Sequence, residues 1–206
     1  MNHLRYLILY LVLPVLLTGC VTVAQVNAGF RRIDYAWELD YQKNENKYRA
    51  RVIDATYKDV YRATSQTFID LNLPITDSSL TTGKVIARNA APAPLSIEEW
   101  KKVIAEEEPR MKELGGWFFI MKDDPKEYFI KITAMVRPLS DNKTLVVLDY
   151  ELDAPALVRQ GIVPSRRAPP AAVMFGSIKF WSGLNNRLSE AQLPSVRIRQ
   201  KSEMDV

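Results

Sequence analysis

The chain has 206 residues, with 28 Lys and Arg against 24 Asp and Glu, one Cys and one His. That length holds one domain plus accessory segments, and 47% hydrophobic with 25% charged residues excludes wholesale disorder and a multi-spanning membrane protein. A net charge of +4, scattered along the chain, leaves no footprint for nucleic acid.

The N-terminus reads as a targeting segment. Arg5 precedes an apolar run from Leu7 to Leu17. The run is too short for a hydrocarbon core that needs about 20 residues, and it has the dimensions of a signal-peptide core. It ends in Leu17-Thr18-Gly19-Cys20. This resembles the lipobox of bacterial lipoproteins: an aliphatic residue, a small or β-branched one, Gly or Ala, then Cys. The resemblance implies that residues 1–19 are a lipoprotein signal peptide. It also implies lipidation of Cys20, with acyl chains such as palmitate holding the protein in the membrane. Position 21 is Val rather than Asp. By the sorting rule of enterobacterial lipoproteins, this implies the cell outer membrane, on the periplasmic side. The other reading is a type I secretory signal or an uncleaved helix, with Cys20 incidental.

His3 and Cys20 are the only residues of their types, so the chain beyond Cys20 carries neither imidazole nor thiol. Ser-His-Asp and Cys-His nucleophilic systems are excluded. So are zinc sites built on N and S ligands, and thioredoxin-like redox motifs. There is no Gly-rich dinucleotide fingerprint and no P-loop, so neither a cofactor nor a metal is expected. Carboxylate chemistry, as in glycan cleavage, is the one enzymatic option left. Asp123 and Asp124 are adjacent and read as turn residues, whereas Asp149 and Glu151 share one face of a strand. No catalytic residue is assigned.

Residues 20–47 read as a lipidated tether followed by an aromatic arm. From Ile33 to Tyr41, apolar Ile33, Tyr35, Trp37, Leu39 and Tyr41 alternate with Asp34, Ala36, Glu38 and Asp40, which predicts a half-buried strand. Three readings stand: an edge strand of the domain's own sheet, an arm that pairs with a partner, or a disordered segment.

The domain proper is placed at 48–194. A strand is predicted over 48–55 and a helix over 57–72 with Thr56 as N-cap. A hairpin follows over 73–90 around Gly83. A second helix starts at Ser96, where Ser96 and Glu99 fit a capping box and Leu95 with Trp100 a hydrophobic staple. Pro109 should kink or split it, and Gly115-Gly116 should stop it. Its Glu106-Glu107-Glu108 run reads as a solvated face. A three-strand meander is predicted over Trp117–Lys122, Glu127–Arg137 and Lys143–Leu152. A Pro-rich loop carrying Arg166-Arg167 leads to a helix over 171–190, and residues 195–206 form a basic tail. Helices against one face of an antiparallel sheet define an α+β domain.

Two stretches carry a resemblance. Tyr57-Lys58-Asp59-Val60-Tyr61-Arg62-Ala63 and the Gly83-Lys84-Val85-Ile86-Ala87 return are similar to a pattern opening a β-α-β-β unit in small envelope lipoprotein domains. Among them are the helix-grip-like domains of the lipoprotein subunit of the outer-membrane β-barrel assembly machinery. The resemblance implies a helix-grip-like fold and a non-enzymatic binding or scaffold module within an envelope protein complex. Tyr35, Trp37 and Tyr41 are the expected partner contacts, since aromatic side chains dominate interfaces. Arg166 and Arg167 are expected to meet anionic groups. The alternative is a periplasmic small-ligand or lipid-binding lipoprotein, with the C-terminal helix closing over the sheet.

Overall fold

In the computed structural model, residues 21–192 are described; the expected signal peptide, Cys20 and the expected basic tail lie outside them. The first element departs from expectation. Residues 33–41 are not a strand but part of a 22-residue helix, α1 (Val23–Asn44). Ile33, Trp37 and Tyr41 are spaced by four, which satisfies both an alternating strand and a helix. Val26 and Phe30 extend the same stripe only at helical period. Ile33, Trp37 and Tyr41 are buried, while Tyr35 and Leu39 are exposed. The tether-and-arm boundary at residue 48 is corrected with it, because α1 is built into the domain's main core.

A π-helical turn, Glu45–Arg49, leads into β1 (Ala50–Ile53). Helix α2 (Tyr57–Asp70) starts where the Thr56 hydroxyl accepts from the Asp59 amide at 3.3 Å, as expected. Strands β2 (Ile75–Ser79) and β3 (Lys84–Ala90) form the hairpin. Gly83 turns it at φ +70°, where a Cβ would lie 1.9 Å from the Val136 carbonyl oxygen, so only glycine fits.

Helix α3 (Ile97–Gly115) opens on the expected capping box, with Glu99 N–H donating to Ser96 Oγ at 3.2 Å and Ser96 N–H to Glu99 Oε2 at 2.7 Å. Pro109 does not split it. Pro109 and Ala105, whose carbonyl loses its partner, both lie on the exposed face of the helix, so the lost bond is not buried. The helix stops at Gly116, φ +122°. The strand expected over Trp117–Lys122 is absent, and residues 116–128 form an irregular loop. Strands β4 (Phe129–Ser140) and β5 (Lys143–Asp153) follow, then a short helix α4 (Pro155–Arg159) and the long α5 (Pro170–Gln192).

The five strands form one antiparallel sheet in the order β1-β5-β4-β3-β2. Registers Ala87↔Ile132↔Tyr150 and Val85↔Ala134↔Leu148 bring buried side chains of three strands onto one face. Helices α2 and α5 pack there, with Phe68 and Phe180 rings 5.2 Å apart. The protein is therefore α+β, with its helices gathered against one face of an open antiparallel sheet. The opposite face carries the ion pairs Lys131–Glu151 (2.6 Å) and Arg88–Asp153 (3.1 Å).

Candidate functional site

Helices α1 and α3 run antiparallel. Trp37 meets Glu107, Asp40 meets Arg110, and the Arg32 guanidinium donates to the Leu114 carbonyl at 2.5 Å. Near the end of α3 the two backbones approach closely. A Cβ on Gly29 would lie 2.9 Å from the Gly115 carbonyl oxygen and 2.4 Å from the Phe119 ring. Phe119 sits over both glycines and meets Phe30 edge-on at 4.9 Å, Phe118 lies 5.0 Å from Phe119, and Trp117 6.0 Å from Phe118. The sequence 116–122 is thus an aromatic loop folded across the α1–α3 junction. The Trp100 indole holds its far end by donating to the Lys122 carbonyl at 2.8 Å.

Beneath this loop lies a cavity of about 350 Å³. Val26, Phe30 and Trp37 wall it from α1, Met111 from α3, Phe118 to Met121 from the aromatic loop, and Leu157 and Ile162 from the α4 region. Only Lys122, Tyr128 and Ser165 bring polar side chains to it. Its size falls in the range of small-molecule sites, which are mainly apolar with a few placed polar groups.

A second, polar cleft of about 300 Å³ is lined by Asp40, Arg49, Glu106, Glu107 and Arg110 among others. Glu107, in the run expected to be solvated, is buried. Its Oε2 accepts from Trp37 Nε1 at 3.1 Å, and its Oε1 from the Ala171 amide at 2.8 Å. Burial raises its pKa, opposed by these two bonds and by Arg110. Both carboxylate oxygens are engaged in joining α1, α3 and α5, which makes Glu107 a fixed acceptor. Nearby, the Tyr41 hydroxyl donates to the Ala168 carbonyl at 2.5 Å, and burial pushes its phenol well up.

The expected partner residues divide. Cys20 lies outside the described residues. Trp37 and Tyr41 are interior groups and present no contact surface, which corrects their assignment to an arm. Tyr35 is 67% exposed, and Arg166 is exposed. Arg167 pairs with Asp34 at 3.0 Å and with Glu38, holding the loop against α1. Tyr35, Arg166 and Arg167 line one shallow groove with Arg31 and Val163. Of the carboxylates weighed for glycan chemistry, Asp149 pairs with Arg49 at 2.7 Å and Glu151 with Lys131. Asp124 pairs with Lys126 at 2.9 Å.

Sequence reasoning missed the cavity and Glu107. The cavity had a signal in the Val26-Phe30-Ile33-Trp37-Tyr41 stripe. Glu107 had one in its place between Trp100, Val103 and Met111 on the buried face of α3. No protein-family model matches the chain, and no curated protein shows significant similarity to it. Among the described residues, no group of three or more His, Cys, Asp or Glu is placed to hold a metal ion. No described helix is long and apolar enough to cross a membrane.

Proposed function

We propose that the protein is a lipid-anchored lipoprotein of the cell outer membrane, acylated at Cys20, whose domain is a non-enzymatic binding module. The module's site is the cavity under the aromatic loop, and its ligand is an apolar chain of fatty-acyl type. The supporting observation is the cavity wall. Val26, Phe30, Phe118, Phe119, Leu157 and Ile162 surround about 350 Å³ of space beside few polar groups, a lining that rewards burial of methylene groups at about 0.8 kcal/mol each. The lipobox resemblance supports the anchor.

A second reading keeps an envelope protein as partner. It draws on Tyr35 and Arg166, which stay exposed and share one groove.

Two measurements test the proposal. Intact mass of the membrane-extracted protein is expected to show acyl additions that Cys20→Ser abolishes. Organic extraction of the purified protein, followed by mass spectrometry, is expected to release a stoichiometric acyl-containing ligand distinct from the covalent chains. An unacylated Cys20 removes the anchor, and an empty extract removes the ligand. Loss of a co-purifying envelope protein on Tyr35→Ala with Arg166→Ala would favour the second reading.

A further inference from the structure

Several apolar side chains remain in water. Trp117 is 76% exposed, Val163 71%, Ile120 66% and Val158 60%. These belong to two separate loops, and the fold brings both to one end of the domain. The aromatic loop lies against α1 through Phe119, Phe30 and Gly29. The second loop is tied to the first turns of the same helix, where the Asn27 side chain donates to the Gly161 carbonyl at 3.3 Å and accepts from the Val163 amide at 2.8 Å. Val21 and Val23, at the start of α1, are exposed as well. The apolar tips therefore surround the point at which the described chain begins, one residue after Cys20.

We propose that this end of the domain is a membrane-docking surface, on which Trp117, Ile120, Val158 and Val163 enter the interfacial layer of a phospholipid bilayer. The proposal rests on the reading of Cys20 as the acylated anchor. From Cys20 to Val23 the chain spans at most about 10 Å when fully extended. Acyl chains on Cys20 therefore bring the bilayer to these loops rather than to any other face. Trp is the side chain most suited to that layer, with an apolar ring and an N–H that meets the headgroups. Arg31 and Arg159 are exposed and form no ion pair with a described residue, leaving cations for anionic headgroups. The cavity lies directly behind the rim, because Ile120 and Ile162 belong to its wall. An acyl chain leaving the bilayer would meet the aromatic loop first.

The chain has no cysteine besides Cys20, so a single introduced thiol reports one position. Trp117→Cys, Val163→Cys and, at the opposite end of the sheet, Leu80→Cys are each labelled with a nitroxide in the full-length protein. Each is then reconstituted into vesicles of phosphatidylethanolamine and phosphatidylglycerol. Labels at 117 and 163 are expected to become accessible to oxygen and shielded from a water-soluble nickel chelate, while the label at 80 stays aqueous. Labels at 117 and 163 as aqueous as that at 80, in protein whose mass shows the acyl chains, would overturn the docking surface. Shielding at 117 and 163 already present without vesicles, together with a dimeric mass, would overturn it in favour of a second copy. Should Cys20 carry no acyl chain, the same labels are placed in a Cys20→Ser background, and their entry into vesicles then keeps the docking surface while the lipoprotein reading fails.

Discussion

The Trp37 indole donates to Glu107 Oε2 at 3.1 Å across the α1–α3 interface, while the Ala171 amide occupies the other oxygen. One buried carboxylate thereby holds three helices; it lines the polar cleft, while its indole partner lines the apolar cavity. Burial raises the folded-state pKa of Glu107, so its ionised form is the costly one. Below the unfolded value of about 4.3 the group is protonated in both states and the penalty vanishes. The penalty grows as pH rises through the folded value and then levels off. Urea midpoints of wild type and Glu107→Gln, followed from acid to neutral pH, are expected to shift progressively in favour of Gln across that window. A constant difference, or one of opposite slope, would contradict this account. Glu107→Ala strands two buried donors and should cost about 3 kcal/mol, each orphaned donor contributing about 1–3 kcal/mol.

The hydroxyl of Thr64 is fully buried on α2 and has no hydrogen-bond partner among the described residues. Thr64→Val preserves its shape and replaces the unpaired oxygen with a methyl group. A gain of about 1 kcal/mol is expected from relief of that desolvation, read as a higher urea midpoint with an unchanged slope.

Gly29→Ala opposes two effects. Helix propensity favours Ala by about 1 kcal/mol, but the new Cβ meets the Phe119 ring at 2.4 Å and the Gly115 carbonyl oxygen at 2.9 Å. The clash wins, since overpacking a close interface costs about 1–3 kcal/mol and Phe119 cannot move without opening the cavity wall. Net destabilisation, with loss of the extractable ligand, is the expected outcome; a stabilised variant would show the helices to be further apart.

Leu157 lines the cavity from α4 and is only partly buried. Leu157→Trp should occupy the space with an indole, leave the circular dichroism unchanged and empty the organic extract. Retention of ligand at wild-type stoichiometry would place the ligand elsewhere.

Arg167 joins Asp34 and Glu38 of α1, and Ser165 Oγ donates to Asp34 at 2.5 Å. The charges are too exposed for a large stability effect. The expected change from Arg167→Ala is local: faster amide exchange over residues 160–167, with the sheet amides unaffected.

Much of the scaffold was legible because short-range chemistry encoded it. Thr56 and Ser96 with Glu99 mark helix starts through bonds within three residues of themselves, and Gly83 marks a turn through its positive φ. In β4 the alternation of Ile130, Ile132, Ala134 and Val136 with Phe129, Lys131, Thr133 and Met135 likewise matches the buried face. The α1 helix was misread because residues four apart fit period two and period four alike. Extending the stripe back through Phe30 and Val26, which fit helical period alone, removes the ambiguity, and packing on α3 and on the loop at 161–168 buries it. Trp117–Lys122 carries strand-forming residues but finds no neighbouring strand, so its side chains roof a cavity instead. Glu107 escaped because an acidic run implies solvent, and the donors that make its burial tolerable lie far off in sequence, the Trp37 indole 70 positions away and the Ala171 amide 64.

Helix α1 has one further consequence, in the order of events rather than in space. Its partners come late in the chain: Glu107 lies 70 residues on, Ala168 127, and Val163 136. During synthesis α1 emerges before every other described helix, and its stripe of Val26, Phe30, Ile33, Trp37 and Tyr41 is not fully sheltered until residue 168 has followed. Such long-range closure slows folding and exposes apolar surface meanwhile. The domain accordingly cannot complete its core ahead of its own C-terminal half, and whatever escorts the nascent chain must cover that stripe until then.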